Sequence, residues 1–285
     1  MKHVALAVAP FLLLCALPAA ARQRNHLMGE SPCAWPKVIL GADGELDTSA
    51  TISRLRSNGL NCTVQVIDRD SKGETWADFE HLLAAADSAE ISVWALLLPP
   101  SENLSLPYGG NFRRWMQALA RLSLKHRSLA GVNVDDLLSS QADRNLFTRD
   151  YLCSLYRAKN GVNPRFAFVP TIYDLDLPVA DRLAGCVDGI WLFYTNLEQD
   201  ANLRAFLDDS RLAARGRFPI FGGVYAGSTS WHREGPPASR VLDGALALAC
   251  GHSDGAVVWE LPLTAEPNPA IETIKRYVGK CGEVK

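Results

Sequence analysis

The segment LAGVNVDD, at positions 129–136, decides the fold. It is a short apolar run of the kind that forms a buried strand, and it ends in two carboxylates. Because strand side chains point alternately to opposite faces, Gly131, Asn133 and Asp135 share one face and the apolar residues between them share the other. We expect the apolar face to contact helices, which leaves Asn133 and Asp135 facing the inside of a barrel.

Eight strand-like runs alternate with eight helical stretches. The predicted strands are 37–41, 62–67, 92–98, 129–135, 165–172, 189–194, 219–225 and 255–261. The predicted helices are 48–57, 75–86, 112–125, 148–159, 179–183, 201–214, 240–249 and 269–278. This pattern is typical of parallel strands with crossover helices, and it predicts a single α/β domain, a (β/α)8 barrel, over residues 37–285. A dinucleotide-binding sheet is disfavoured, because no Gly-x-Gly-x-x-Gly follows the first strand.

The N-terminus has the pattern of a secretory signal peptide, residues 1–21. Lys2 precedes an apolar run, 4–17, and small residues lead to a cleavage site after Ala21. The apolar run is too short to span a membrane. Residues 22–36 form a leader with no repeat of its own. We therefore predict an exported protein, secreted or periplasmic, that is free of the membrane after cleavage.

The charge of the chain points to no polyanionic partner. The formal net charge is −2 and the isoelectric point is about 6.3. A nucleic-acid-binding or anionic-membrane surface would need an excess of basic residues. We predict neither partner, and the sequence leaves the oligomeric state open.

Six of the seven cysteines lie beyond the predicted signal peptide. An even number in an oxidising compartment, without the close spacing of metal ligands, favours disulfides over zinc. We predict the pairs Cys153 with Cys186 and Cys250 with Cys281, because each pair lies on consecutive strand-helix units. Cys33 is then left for Cys62, across the first strand.

Candidate site residues follow from the rule that such barrels carry their active sites at the carboxyl ends of the strands. These ends offer carboxylates and aromatic rings, which are the groups that carbohydrate chemistry needs: an acid, a base or nucleophile, and flat apolar faces for sugar rings. The catalytic candidates are Asp135, Asp136 and Glu260. The candidates for substrate binding are Asp43, Asp68, Asn133, Tyr173, Tyr194, Tyr225 and Trp259.

Each candidate also has a structural interpretation. The aspartates lie where Asp commonly caps a helix or closes a turn. The tyrosines and Trp259 are equally compatible with the wall of the barrel. By strand alternation, Glu260 is compatible with an outward position in a structural ion pair.

Other hydrolytic chemistries lack their motifs. The histidines after residue 21 end no predicted strand, and none stands in a His-x-His or His-Glu-x-x-His pattern. Gly-x-Ser-x-Gly is absent as well. We therefore predict no metal and no cofactor, with an oligosaccharide or polysaccharide as the partner.

Three strand ends resemble the chitinase-type glycoside hydrolases of family eighteen and their non-catalytic relatives. The fourth strand of that family reads Gly-x-Asp-x-Asp-x-Glu, and residues 131–137 are similar to it. The resemblance implies that Trp259 forms the floor of the sugar site. At the end of the sixth strand the family usually has Tyr-Asp, so Tyr194 matches the pattern and Thr195 does not. The chain departs from the pattern at Asn133, where the family has its first Asp, and at Leu137, where it has the catalytic Glu.

A leucine cannot donate a proton, so the resemblance leaves two hypotheses. In the first, Asp135 is the nucleophile or base of a glycosidase-like reaction, with Asp136 or Glu260 as the acid. In the second, the barrel binds carbohydrate without cutting it, like the non-catalytic relatives. A purely structural protein is a weaker third interpretation.

Overall fold

Strands and helices alternate along the described part of the chain. The computed structural model describes residues 27–29, 31–69, 71–195, 200–228, 236–264 and 267–281; the predicted signal peptide, 1–21, lies outside them. The strands are β1 (Cys33–Pro36), β2 (Cys62–Ile67), β3 (Ser92–Leu97), β4 (Leu129–Val134), β5 (Ala167–Phe168), β6 (Thr171–Ile172), β7 (Ile190–Phe193), β8 (Ile220–Tyr225) and β9 (Ala256–Leu261). The helices are α1 (Thr48–Ser57), α2 (Trp76–Ala89), α3 (Phe112–Leu122), α4 (Gln141–Leu146), α5 (Arg149–Asn160), α6 (Leu177–Leu183), α7 (Asp200–Ala214), α8 (Ser239–His252) and α9 (Pro269–Lys275), with a 3₁₀ helix at Pro100–Glu102.

The strands close into a barrel, and the predicted (β/α)8 fold is confirmed. All neighbouring pairs are parallel, in the order β5-β4-β3-β2-β1-β9-β8-β7-β6. β5 and β6 are two halves of one strand, interrupted at Pro170, which has no N–H to donate. The halves join the two ends of the sheet, because the amide of Val169 donates to Val132 O (3.0 Å) and that of Trp191 donates to Pro170 O (2.8 Å).

The first strand is the one predicted strand that was wrong. It was expected at 37–41, but the structure places it at Cys33–Pro36, within the stretch that we interpreted as a leader. Cys33, Ala34 and Trp35 are buried and Pro36 is half-buried, whereas Leu40 is 45 % exposed. The apolar run after Pro36 instead forms a turn at the barrel mouth, in which Leu40 bridges Leu46 in an antiparallel pair.

Aromatic rings fill the inside of the barrel. Trp94 and Trp191 lie 5.6 Å apart between ring centroids, and Phe193 lies 5.3 Å from Tyr225. The glycines of the strands make room for these rings: a Cβ added to Gly131 would lie 2.4 Å from Trp94. Val132 and Val134 of β4 pack in a second core between strands and helices, as predicted, but Ala130, which was expected on the same face, packs against the inner aromatic cluster, where the register of β4 against β3 shifts.

The three predicted disulfides are confirmed. Cys33–Cys62 joins β1 to β2, Cys153–Cys186 joins α5 to the loop after α6, and Cys250–Cys281 joins α8 to the segment after α9. Three such bonds are typical of proteins that fold in an oxidising compartment. Within the described ranges, the helices are all too short or too polar to cross a membrane.

We expect Gly223→Ala to destabilise the barrel by about 1–3 kcal/mol, the usual cost of overpacking a core. The new Cβ would lie 2.2 Å from the Phe193 ring, which is itself packed against Trp35 and Tyr225. Urea denaturation measures the change. The matched control is Gly251→Ala in α8, where a Cβ meets nothing within 4 Å. Equal stability of Gly223→Ala and the parent would contradict this account of the packing.

Candidate active site

Asn133 fixes the end of β4. Its side chain is fully buried; Nδ2 donates to Val169 O at 2.6 Å, and Oδ1 accepts from the Thr171 hydroxyl at 3.1 Å. On the other side of the strand, the backbone N–H of Asp135 donates to Leu97 O at 2.9 Å. β4 is therefore held on both edges at the point where Asp135 leaves the sheet.

Asp135 and Asp136 form a tight turn at the barrel mouth. The amide of Asp136 donates to Asp135 Oδ1 at 3.0 Å, and Asp136 has a φ of +44°, which is unusual for a residue with a side chain. Among the described residues, one carboxylate oxygen of Asp136 is buried without a hydrogen-bond partner. Strained backbone of this kind persists where the surrounding structure imposes it, often at functional sites.

Glu102 is the third carboxyl of the site, and the sequence analysis missed it. It ends the 3₁₀ helix that follows β3, and it lies within hydrogen-bonding reach of the Asp136 carboxyl. This helix is held in place by Ser101, whose hydroxyl donates to Asp143 Oδ2 at 2.6 Å. A signal was present, because a carboxylate soon after the third predicted strand belongs to the same edge of the barrel as Asp135. We call Glu102, Asp135 and Asp136 the carboxyl cluster.

The carboxyl cluster retains protons at neutral pH. Burial, and then the charge of Asp136, raise the pKa of Asp135 to about 7. Burial, followed by the charges of Asp135 and Asp136, raises the pKa of Glu102 to about 8. Neighbouring carboxyls cannot all ionise together, so their protons are shared over the cluster as a unit. The site therefore contains an acid and a base at the same pH.

Two tyrosines complete the site. Burial, and then the charges of Asp135 and Asp136, raise the pKa of both Tyr173 and Tyr225, so both phenols keep their protons. The Tyr225 hydroxyl is buried and has no hydrogen-bond partner among the described residues. These hydroxyls can donate to a ligand or to the carboxylates.

A β-bulge separates the roles of Trp259 and Glu260. Trp35 pairs with Trp259 and Pro36 with Leu261, so Glu260 is an extra residue in the strand, with a φ of +51°. Trp259 points inward, and its ring lies edge-on to Tyr225 at 5.6 Å. The charged partner of Glu260 is the ammonium of Lys37, at 3.3 Å.

Three other predicted site residues lie apart from the carboxyl cluster. Exposed Asp43 closes its own turn by accepting from the amide of Glu45 at 3.0 Å. Asp68 accepts from the amide of Arg69 at 2.5 Å and from the Ser71 hydroxyl. Tyr194 packs against Phe206, with ring centroids 5.0 Å apart, in the layer between strands and helices.

The metal-ligating side chains of the described residues nowhere form a group of three or more that could hold an ion. No protein-family model matches this chain, and neither does any curated protein sequence.

Solved structures share the fold. A GH113 β-1,4-mannanase is 10 % identical, with a TM-score of 0.59, over 87 % of this chain and 97 % of that one. A variant of a GH27 β-L-arabinopyranosidase from Geobacillus stearothermophilus, in complex with arabinose, is 8 % identical, with a TM-score of 0.59, over 90 % of this chain and 78 % of that one. The likeness shows the fold. These neighbours are glycoside hydrolases, and this chain has the same type of barrel.

We expect Asp135 to make the stability of the parent protein depend on pH. Its pKa is about 7 in the folded state, against 3.8 for an unperturbed Asp, so the folded state favours the neutral form. The contribution of neutral Asp135 to the free energy of unfolding is fully present below about pH 4. It is lost as the pH rises from about 4 to about 7, and it is absent above that range. One pKa unit corresponds to about 1.4 kcal/mol, so the loss is on the order of a few kcal/mol.

Urea denaturation at several pH values, comparing the parent with Asp135→Asn, measures this loss. The variant has no titrating group at position 135, so its stability should change less between pH 4 and 8. Asp209→Asn, at an exposed position on α7, is the control and should follow the parent. Parallel pH profiles for Asp135→Asn and the parent would show that Asp135 titrates normally.

Proposed function

We propose that this protein is a glycoside hydrolase in which the carboxyl cluster performs acid-base chemistry on a carbohydrate. The observation that carries the proposal is the meeting of Glu102, Asp135 and Asp136 at the carboxyl end of a (β/α)8 barrel, where burial and the neighbouring charges raise the pKa of Asp135 to about 7 and that of Glu102 to about 8. Glycosidases need one carboxyl that keeps its proton and one that is ionised at the same pH. The glycosidase neighbours in fold support the same class of reaction.

The cluster suggests a role for each residue. Glu102, with the higher pKa, is the acid that protonates the glycosidic oxygen as the bond breaks. Asp135 is the nucleophile or base at the anomeric carbon, as the strand pattern predicts. The charge of Asp136 acts on both Glu102 and Tyr173 and helps to keep both protonated. In this proposal Glu102 takes the acid role that the sequence left open between Asp136 and Glu260.

Aromatic residues supply the sugar-binding surface. Trp259 presents an indole face beside Tyr225, and the Tyr225 hydroxyl is a buried donor without a partner among the described residues. A ring face with a neighbouring hydroxyl matches the apolar face and the hydroxyl groups of a pyranose. The predicted signal peptide and the three disulfides support a secreted or periplasmic location.

A second candidate function is carbohydrate binding without cleavage. Leu137, which occupies the position of the catalytic Glu in the family-eighteen pattern, is fully buried in the core between strands and helices. That position therefore supplies no acid to the barrel mouth. The two functions differ in one measurement, because only the hydrolase releases new reducing ends from a glycan panel.

We expect Asp135→Asn and Glu102→Gln each to reduce turnover by about 100-fold or more, the scale for loss of an acid-base group. Glu102→Gln should lose much less activity on an aryl glycoside, whose leaving group needs no protonation, whereas Asp135→Asn should lose activity on both substrates. The measurements are kcat on an oligosaccharide and on a nitrophenyl glycoside, with melting temperatures to confirm folding. Asp209→Asn is the control. Full activity in Asp135→Asn would exclude its catalytic role.

We expect Trp259→Ala to weaken glycan binding by about two- to tenfold, which corresponds to the roughly 0.5–1.5 kcal/mol of an aromatic contact. The ring also packs on Trp35, so the melting temperature is measured in parallel. Isothermal calorimetry with any glycan that binds the parent gives the affinity. A folded Trp259→Ala with the affinity of the parent would place the sugar elsewhere.

A further inference from the structure

A cavity of about 350 Å³ opens beside the carboxyl cluster, between the loop after β4 and helix α6. Its volume is within the range of about 300–1,000 Å³ that is typical of small-molecule sites. Leu138, Ile172 and Val179 give it an apolar wall. Tyr173 belongs to both places, because it lines the cavity and the charges of Asp135 and Asp136 act on its phenol; Leu138 of the lining also lies only two residues after Asp136. A ligand in this cavity is therefore next to the proposed site of cleavage.

Two arginines line the cavity, and we call it the arginine cavity. Arg144 Nη1 donates to the carbonyl oxygens of Leu138 (2.8 Å) and Ser139 (3.1 Å), and Arg182 Nη1 donates to Arg144 O at 3.3 Å. These contacts are all with backbone carbonyls. Within the described part of the chain, neither guanidinium has a carboxylate within 4.0 Å, whereas Arg217 is paired with Asp181.

The lining of the arginine cavity has a positive charge. Its charged members are the two arginines and Asp174, which gives a formal charge of +1. A guanidinium has five N–H donors, and those that the carbonyls do not use can bind an anion in bidentate geometry. Neutral sugar hydroxyls do not need this charge, but the carboxylate of a uronic acid or a sulfate ester does. The apolar wall suits the face of the ring that carries the anionic group.

We propose that the arginine cavity is a subsite for an anionic sugar residue, adjacent to the bond that is cleaved. The proposal rests on the proposed function, and it deepens that function by naming the substrate class: a glycan with a uronic acid or a sulfated sugar next to the scissile bond. The two arginines determine the specificity of the site, and they do not take part in the chemistry.

Calorimetry with two matched pairs of probes tests the proposal. Oligogalacturonates and their methyl esters test recognition of a carboxylate, and κ-carrageenan oligosaccharides and their desulfated forms test recognition of a sulfate. We expect one anionic probe to bind the parent at least tenfold more tightly than its neutral form. The anionic probe that binds identifies the source of the negative charge.

Variants then assign the binding to the arginine cavity. Arg182→Gln removes a guanidinium that makes one long hydrogen bond to a carbonyl, so we expect it to fold and to lose at least tenfold in affinity for the anionic probe. Arg144→Lys keeps the positive charge but replaces the planar guanidinium, which can bind an anion through two N–H groups, with an ammonium. We expect it to lose less affinity for the anionic probe than Arg182→Gln does. Arg113→Gln, at an exposed position on α3, is the matched control and should bind like the parent. Melting temperatures confirm that each variant is folded.

The outcomes separate this proposal from the proposed function. If neutral glycans are hydrolysed, and Arg182→Gln hydrolyses them like the parent with no preference for charged forms, the hydrolase stands and the anionic subsite is wrong. If an anionic probe binds through Arg182 but no product is released from any glycan, the subsite stands and the hydrolase is wrong. Equal binding of charged and neutral probes, or binding of none of them, overturns the anionic subsite.

Discussion

The buried amide of Asn133 is the contact on which the closure of the barrel depends. The strand that completes the circle is broken at Pro170 into β5 and β6, each of only two residues. Asn133 spans this break, because it donates to Val169 O before the proline and accepts from the Thr171 hydroxyl after it. A side chain thus supplies hydrogen bonds across the break, and the same residue fixes the position of Asp135 two residues along the strand.

Closure at this point explains how three carboxyls are kept together. Their mutual repulsion and burial raise the pKa values of Asp135 and Glu102, so the fold holds them against an electrostatic cost. Separate elements impose the arrangement: the turn directly after β4 carries the two aspartates, and the 3₁₀ helix after β3 carries Glu102. Proteins tolerate an electrostatic cost of this kind mainly at functional sites. Here the burial of the aromatic side chains inside the barrel provides the free energy that offsets it.

The sequence predicted the features that depend on local pattern and chain order. The bounds of β2 and the inward face of β4 follow from apolar runs and strand alternation, and the disulfides follow from pairing consecutive units. Three features were missed because tertiary contacts, and not strand ends or strand alternation, determine them. β1 was misplaced because two apolar runs flank Pro36 and only tertiary burial selects the first. Glu102 was missed because a 3₁₀ helix, and not a strand end, brings it to the cluster. The bulge was missed because Glu260 is one extra residue in β9, and strand alternation assumes that no residue is inserted.

The two departures from the family-eighteen pattern have a common physical cause. At position 133 a carboxylate would replace an N–H donor with a negative charge facing Val169 O, and the link across Pro170 would be lost. At position 137 the backbone N–H of Leu137 donates to Thr171 O while its side chain is fully buried, so a charged acid there would lose its solvation in the core between strands and helices. Asn133 and Leu137 both form hydrogen bonds that join the segment of β4 to the strand that is broken at Pro170. In the proposed hydrolase the acid therefore comes from a different element, the 3₁₀ helix after β3, which carries Glu102.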